Sequence, residues 1–139
     1  MNMMCCSLCT SDFDSHPHLF FECKYSYQVW LIVKDDAFMH NVSASWDDIV
    51  IWLSSRAKSR SITSVIGKLM VAATAYFIWQ ERNNRLFANH ARPPDILANV
   101  IKTTVRARLL KLKFKRNARV QSILSAWKIH GDTLFQDGY

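Results

Sequence analysis

Four potential metal ligands with the spacing Cys-x2-Cys-x8-His-x4-Cys constrain the fold of this chain more than any other feature; they are Cys6, Cys9, His18 and Cys23. Tetrahedral zinc takes four nitrogen or sulfur ligands of this kind. Two cysteines separated by two residues can direct both sulfurs inward from one tight loop, and His18 and Cys23 can complete the tetrahedron from the turn that follows. A closed site of four ligands leaves no position for a substrate, so the sequence predicts a structural zinc knuckle over residues 6–23.

The choice of ligands leaves alternatives open. Cys5 could replace its neighbour as the first ligand, although the resulting x3 gap makes a less usual loop, and His16 could replace His18. We prefer His18 because Pro17 fixes the backbone just before it, and because the x4 gap to Cys23 repeats the spacing of other zinc knuckles. Cys5 is then a spare thiol without an assigned role.

The cysteines are predicted to be reduced, so that they can act as thiolate ligands. Disulfides and unligated cysteines are the alternatives to zinc, but Cys5 and Cys6 are adjacent, which suits a disulfide pair poorly. The first residues carry neither the basic nor the apolar region of a signal peptide. The sequence therefore predicts an intracellular, reducing environment, and we expect the nucleus rather than the cytoplasm.

Three segments carry a resemblance to a known family. They are Cys6-Ser7-Leu8-Cys9, His18-Leu19-Phe20-Phe21-Glu22-Cys23 with its continuation to Val29-Trp30, and Ile78-Trp79-Gln80-Glu81-Arg82-Asn83-Asn84-Arg85-Leu86-Phe87. Together they resemble the zinc-binding domain at the C-terminal end of plant non-LTR (LINE-type) reverse transcriptases. The resemblance implies a retrotransposon-derived module that works beside nucleic acid. Because a helical segment rich in Trp and Leu precedes the first cysteine in that family, we expect this chain to be truncated at its N-terminal side.

Reverse transcription itself is not implied. A polymerase needs a palm with an aromatic-x-Asp-Asp turn, and neither Asp35-Asp36 nor Asp47-Asp48 has the required preceding residues. A chain of 139 residues also has no room for a palm. Ser-His-Asp arrangements, glycine-rich phosphate loops and paired carboxylates do not rise above chance. We therefore predict a protein that is not an enzyme.

The composition indicates a mainly α fold. Half of the residues are hydrophobic, which excludes a disordered chain, and only three glycines and three prolines are available for turns, which disfavours hairpins and sandwiches. We expect the N-terminal Cys-Cys-His-Cys zinc knuckle to be followed by about four helices, two of them long. The knuckle and first helix would occupy residues 1–34 and the helical region residues 35–139, as one compact domain.

Helix-capping residues and the spacing of apolar residues predict the first three helices near residues 24–34, 46–54 and 62–88. Ser45 is expected to cap the second helix, with Asp47 and Asp48 in its first turn, and Ser61 or Thr63 to cap the third. The predicted core stripe of the third helix is Ile62, Ile66, Leu69, Ala73, Tyr76 and Gln80. Its uninterrupted apolar run, residues 69–79, is too short for a bilayer, so no membrane span is predicted. Glu81 and Arg85 are expected to form an exposed pair one turn apart.

The last helix is predicted to run from Pro94 to near Trp127 with two apolar stripes. One stripe is Ile96, Val100, Thr103, Ala107, Leu110 and Phe114. The other is Ile101, Val105, Leu109 and Leu112, which could dock a protein partner. Phe114 and Trp127 could stack on bases, although packing in the core is the expected role.

Positive charge is concentrated in the same region. Residues 1–50 carry a net charge of −5 and residues 51–139 a net charge of +12, and no acidic residue occurs between Ile96 and Gly131. The predicted nucleic-acid-binding residues are Lys102, Arg106, Arg108, Lys111, Lys113, Lys115, Arg116 and Arg119. Such cations contact phosphates rather than bases, so we expect DNA or RNA binding with weak sequence preference. A solvated basic face, an acidic membrane surface, a reused protein-interaction module and a decayed reading frame remain the alternatives.

Overall fold

Helices account for nearly all the regular structure of the protein. The computed structural model describes residues 6–10, 15, 18–88, 91–115 and 117–127, and within them it contains no strand. A short π-helical turn at His18–Glu22 is followed by five α-helices. They are α1 (Lys24–Val33), α2 (Trp46–Ser55), α3 (Ile62–Phe87), α4 (Pro94–Leu109) and α5 (Ala118–Ala126). The predicted mainly α class, with a Cys/His cluster at its N-terminal end, is confirmed.

The helices begin where side-chain caps satisfy their first N–H groups. Ser45 Oγ accepts from the backbone N–H of Asp48 at 3.2 Å at the start of α2, and Ser61 Oγ accepts from Ser64 at the start of α3. Both caps were predicted from the sequence, as were the aspartates in the first turn of α2, which stabilise the positive end of that helix. Asn117 caps α5 in the same way.

A single hydrophobic core joins the helices to the N-terminal segment. Helix α4 packs against both α1 and α3, which also contact each other, and the π-helical turn contacts α1, α2 and α3. Trp30 of α1, Ile78 of α3 and Ile101 of α4 are fully buried in this core. Cys6 and Cys23 belong to the same cluster, so the N-terminal loop is part of the folded body.

The predicted length of the last helix is wrong, because two shorter helices, α4 and α5, take its place. Helix α4 ends at Leu109, and the described residues between it and α5, 110–115 and 117, are not helical and form a connection. The connection contains Lys111-Leu112-Lys113-Phe114-Lys115, in which Phe114 is buried while the three lysines are exposed. Apolar and charged residues that alternate with a period of two fit extended backbone better than a helix. The like-charged pair Lys111 and Lys115 would also have destabilised a helix.

The apolar stripe that was predicted to dock a protein partner lies in the core of the protein. Ile101, Val105 and Leu109 are buried and Leu112 is half-buried. The opposite stripe of α4 faces outward instead, since Ile96 is 47% and Leu110 52% exposed. Ile101, Val105 and Leu109 are therefore not exposed for a partner to dock on, and a protein partner elsewhere stays a prediction. The expected packing of Phe114 and Trp127 is confirmed, since both are buried.

The core face of α3 is rotated from the predicted stripe. Ile62 and Ile66 are buried as expected, but Tyr76 is 56% exposed and the later turns bury other side chains instead. These are Val71, Thr74, Ile78 and Glu81. Because α4 and the π-helical turn both cover α3, the buried surface follows its neighbours rather than the most apolar line of the sequence.

Within the described residues, α3 is long and apolar enough to cross a membrane. Its most apolar window of 18 residues has a mean hydropathy of 1.5, and 44% of that window is buried against the rest of the chain. Core helices of soluble proteins and membrane spans share these properties, so length and composition assign α3 to neither environment. The absence of a span stays a prediction.

The contact between Gly67 and Trp52 gives the first test of the packing. A Cβ atom on Gly67 would lie 2.2 Å from Cη2 of the Trp52 ring, far inside van der Waals contact. We expect Gly67→Ala to lower the free energy of unfolding by about 1–3 kcal/mol, because the overpacking outweighs the better helix propensity of alanine. Urea unfolding followed by circular dichroism measures the change.

A variant that lacks the Trp52 ring supplies the control. In a Trp52→Leu protein the clash is removed, so the same Gly67→Ala substitution should be neutral or stabilise by up to about 1 kcal/mol. If Gly67→Ala stabilised the protein with Trp52 present, the close packing of α2 on α3 would be refuted.

Candidate metal centre

The predicted ligands come together in space. The Sγ atoms of Cys6, Cys9 and Cys23 and a ring nitrogen of His18 all lie within 4.8 Å of one another. Cys6 Sγ is 3.8 Å from Cys23 Sγ, and Cys9 Sγ is 3.3 Å from His18 Nε2. None of these three cysteines forms a disulfide, since all three are free. The cluster could therefore hold a metal ion. The alternative ligands Cys5 and His16 lie outside the described residues.

A tight turn places the first two ligands, and we call residues 6–10 the CxxC loop. The backbone N–H of Thr10 donates to Cys6 O at 2.8 Å and closes the loop. Thr10 has a φ of 58°, in the left-handed region that is unusual for a β-branched residue. The hydroxyl of Thr10 also donates to Cys9 O at 2.6 Å, which supports this conformation. The loop directs two sulfurs to one point.

A π-helical turn places the other two ligands. The backbone N–H of Cys23 donates to His18 O at 2.6 Å, so the two ligand residues, five positions apart, are the two ends of one π-helical hydrogen bond. Ser26 Oγ donates to Leu19 O and ties this turn to α1. The x4 spacing therefore has a structural cause that the sequence did not reveal. Phe20, inside the turn, stacks on Trp46 of α2 with ring centroids 5.8 Å apart.

Burial controls the protonation of the sulfurs. Cys6 and Cys23 are fully buried, and this desolvation raises the pKa of both thiols, that of Cys23 to about 12. Without a metal these two groups are therefore neutral thiols at pH 7. A bound dication would displace their protons, so metal affinity must fall as the pH is lowered.

A buried carboxylate organises the surroundings of the cluster. The side chain of Glu81 is only 1% exposed, and its two oxygens each accept from an arginine Nε at 2.9 Å, one from Arg85 and one from Arg92. The backbone N–H of Arg92 donates to the same carboxylate. Burial alone would raise the pKa of Glu81, but these hydrogen bonds outweigh it and hold the pKa below its ordinary value. Glu81 is therefore ionised at neutral pH.

Arg85, which binds Glu81, also contacts the CxxC loop. Arg85 Nη1 donates to Leu8 O at 3.2 Å, and Ser7 Oγ donates to Arg82 O at 3.3 Å. The two residues between the cysteine ligands are thus held by the C-terminal turns of α3. The guanidinium of Arg85 also lies 4.4 Å from the centre of the Tyr25 ring in α1. One side chain joins the loop, α1 and α3.

Arg92, in the connection between α3 and α4, completes the arrangement. Its carbonyl oxygen accepts from Tyr25 Oη at 2.7 Å and from Arg85 Nη2 at 3.1 Å. Burial raises the pKa of Tyr25 to about 12, so its hydroxyl keeps the proton that it donates. We call Glu81, Arg85, Arg92 and Tyr25 the Glu81 network.

Sequence reasoning missed this network. The predicted helical pair of Glu81 and Arg85 is present, but its predicted exposure is wrong, because the carboxylate is buried and is shared with Arg92. One signal was available in the sequence. The segment that contains Glu81 and Arg85 was singled out together with the cysteine segments, and the two are in contact in the structure.

The predicted nucleic-acid-binding residues do not form one helix face. Lys102 pairs with Asp36 of the α1–α2 connection, with its Nζ 2.7 Å from Oδ2, and Arg106 is half-buried. The exposed members are Arg108, Lys111, Lys113, Lys115 and Arg119. They lie at the end of α4, in the connection, and at the start of α5. Arg116 lies outside the described residues.

Comparison of the chain with protein-family models, with curated proteins and with solved structures finds no match. The resemblance to the reverse transcriptase zinc-binding domain therefore stays a hypothesis that depends on the residues quoted for it.

The Glu81 network gives a prediction for stability. Glu81→Gln removes the charge but keeps the shape, and it leaves Arg85 and Arg92 without a buried carboxylate. We expect the free energy of unfolding to fall by about 2–4 kcal/mol, because breaking a buried ion pair leaves its partners uncompensated. Thermal or urea unfolding measures this loss. Metal affinity should also fall, because the carbonyl of Leu8 loses its fixed donor.

The exposed Glu22, next to a predicted ligand, supplies the matched control. Glu22→Gln makes the same chemical change outside the network, so its effect should stay within about 0.5 kcal/mol. Equal stabilities of the two variants would contradict the role assigned to Glu81.

Proposed function

We propose that this chain is a non-enzymatic, zinc-stabilised helical module that binds nucleic acid through exposed cations near its C-terminal end. Its first support is the donor set, since three thiolates and one imidazole are soft ligands that favour zinc over magnesium or calcium. In a zinc tetrahedron, two sulfurs are separated by about 3.8 Å, and a sulfur and a nitrogen by about 3.5 Å, given the usual bond lengths. The observed 3.8 Å between Cys6 and Cys23 and 3.3 Å between Cys9 and His18 agree with these distances.

The zinc ion would serve structure rather than chemistry. Four protein ligands fill a tetrahedral shell, and two of them, Cys6 and Cys23, are fully buried. A catalytic zinc site keeps one position open for water or substrate. The ion would join the CxxC loop to the π-helical turn, and the Glu81 network would hold that loop on α3.

The family resemblance adds support for the proposed origin. Its two separate parts, the ligand segments and the segment from Ile78 to Phe87, are packed together through Ser7, Leu8 and Arg85. Residues that depend on each other in this way are expected to be inherited together. A module derived from the C-terminus of a retrotransposon reverse transcriptase would act beside the nucleic acid that such an enzyme copies, in the nucleus.

The observation that carries the nucleic-acid proposal is the group of exposed cations from Arg108 to Arg119. No acidic residue occurs in this stretch of sequence, and the exposed side chains Arg108, Lys111, Lys115 and Arg119 make no ion pair with a described carboxylate. A polyanion would relieve their mutual repulsion and release its counterions on binding. Contacts of this kind go to phosphates, so sequence preference should be weak.

Elemental analysis tests the zinc. Protein purified without added metal should contain one zinc ion per chain, and a strong chelator should lower both its helicity and its melting temperature, because the knuckle is part of the core. Cys9→Ser should reduce the zinc content well below one ion per chain.

Cys5→Ser is the matched control, since it changes the neighbouring cysteine that we do not assign as a ligand. It should keep its zinc. Retention of zinc by Cys9→Ser together with loss by Cys5→Ser would refute the ligand assignment. Metal-free protein with unchanged helicity would refute the structural role.

Salt dependence tests nucleic-acid binding. The affinity for a single-stranded oligonucleotide, measured by fluorescence anisotropy, should fall steeply as salt is raised, with a slope of about −0.7 for each phosphate neutralised. Replacing Arg108, Lys111, Lys115 and Arg119 by Gln should weaken binding by about a hundredfold or more at low salt and flatten the slope.

Lys24 and Lys58, exposed cations in α1 and after α2, supply the control. The Lys24→Gln and Lys58→Gln double variant should lose much less affinity per charge removed. Failure of the wild-type protein to bind at low salt, or binding that is insensitive to salt, would refute the proposal.

A further inference from the structure

A cleft of about 560 Å³ opens between the start of α3 and the start of α5. Residues 113–115 of the connection and the first residues of α5 line it on one side, and the first residues of α3 line it on the other. Its polar lining consists of Arg60, Ser61, Thr63, Lys113, Lys115, Asn117 and Arg119. The residues that line it come from two regions about 50 positions apart in the sequence, so no sequence pattern marked it.

The lining carries four cations and no anion. Arg60, Lys115 and Arg119 are exposed, and no carboxylate among the described residues lies within ion-pair distance of them. Lys102, by comparison, is neutralised by Asp36 on the other side of the molecule. The charges of Arg60, Lys115 and Arg119 around one concave space produce a stronger local potential than the same charges spread over a convex face.

Two helices also begin at the cleft. Ser61 and Asn117, which cap α3 and α5, both line it, so the partially positive ends of a helix of 26 residues and a helix of nine residues converge on the same space. The N–H groups of a first turn lack partners within the helix and can donate to an anion. These donors add to the side-chain cations rather than replace them.

The rest of the lining is apolar. Ile62, Phe114 and Val120 are at most 8% exposed and form part of the wall. Apolar walls lower the local dielectric constant, which strengthens the attraction between the cations and a bound anion. A volume of about 560 Å³ matches pockets that hold a small molecule or one nucleotide, whereas a duplex could not enter.

We propose that this cleft is a phosphate-binding site. The proposal deepens the proposed function, on which it rests for the source of the phosphate, by assigning the cleft to a phosphate of a single strand. The group bound is the terminal phosphate monoester of a strand or a backbone phosphodiester, and both present the same anionic oxygens to Arg60, Lys115 and Arg119.

Two oligonucleotides of one sequence, with a 5′-phosphate and with a 5′-hydroxyl, distinguish these sources. The wild-type protein is compared with the cleft variant Lys115→Gln/Arg119→Gln and with the control variant Arg108→Gln/Lys111→Gln. The control removes the same charge from exposed residues of the same region that do not line the cleft. Circular dichroism checks that both variants are folded.

We expect the cleft variant to bind at least about tenfold more weakly than the control variant, with a salt slope reduced by about 1–2. A preference of the wild-type protein for the 5′-phosphate that disappears only in the cleft variant assigns the site to a strand end. Equal binding of the two oligonucleotides, with the same selective loss in the cleft variant, assigns it to a backbone phosphate. Equal losses in the two variants would overturn the proposal while leaving nucleic-acid binding intact.

Inorganic phosphate provides a test that does not depend on nucleic acid. Titration into ¹⁵N-labelled wild-type protein should shift the backbone amide signals of Ile62, Thr63, Ala118 and Arg119, and the shifts should be absent in the cleft variant. Shifts without any oligonucleotide binding would support the cleft and refute the proposed function. The absence of these shifts at millimolar phosphate would overturn the cleft itself.

Discussion

The buried carboxylate of Glu81 is the interaction on which the arrangement of this protein depends. A carboxylate that is 1% exposed is tolerated only because Arg85 and Arg92 bind both of its oxygens and a backbone N–H adds a third donor. Both arginines link Glu81 to other parts of the chain. Arg85 also donates to the carbonyl of Leu8 in the CxxC loop, and the backbone N–H of Arg92, between α3 and α4, donates to Glu81. Loop, core helix and the following connection are thereby held in one geometry.

The metal cluster and the Glu81 network support each other. The cluster brings the CxxC loop to the π-helical turn, and the network brings the same loop to α3. Neither contact could fix the loop by itself, because a loop of five residues buries too little apolar surface to offset its loss of conformational entropy. The N-terminal segment consequently shares its core with the helices.

A group of exposed positive charges lies toward the C-terminal end of the described residues. Arg85 and Arg92 share the single carboxylate of Glu81, and Lys102 pairs with Asp36, so each of these cations has an anionic partner. Five exposed cations, Arg108, Lys111, Lys113, Lys115 and Arg119, lie at the end of α4, in the connection and at the start of α5, whereas Lys24 and Lys58 are exposed elsewhere. The group of exposed cations near the C-terminal end presents an attractive potential to anions.

The amino-acid sequence by itself determined the helical class, the caps at Ser45 and Ser61, and the set of four clustered ligands, because these features depend on neighbouring residues or on a fixed spacing. Only the tertiary structure decided which face of α3 is buried, that Ile101, Val105 and Leu109 belong to the core, and that the last predicted helix divides before Phe114. The same holds for the burial of Glu81 and for the cationic cleft. Each of these depends on which elements pack together over long sequence separations, and a local pattern of polarity cannot specify its partner in space.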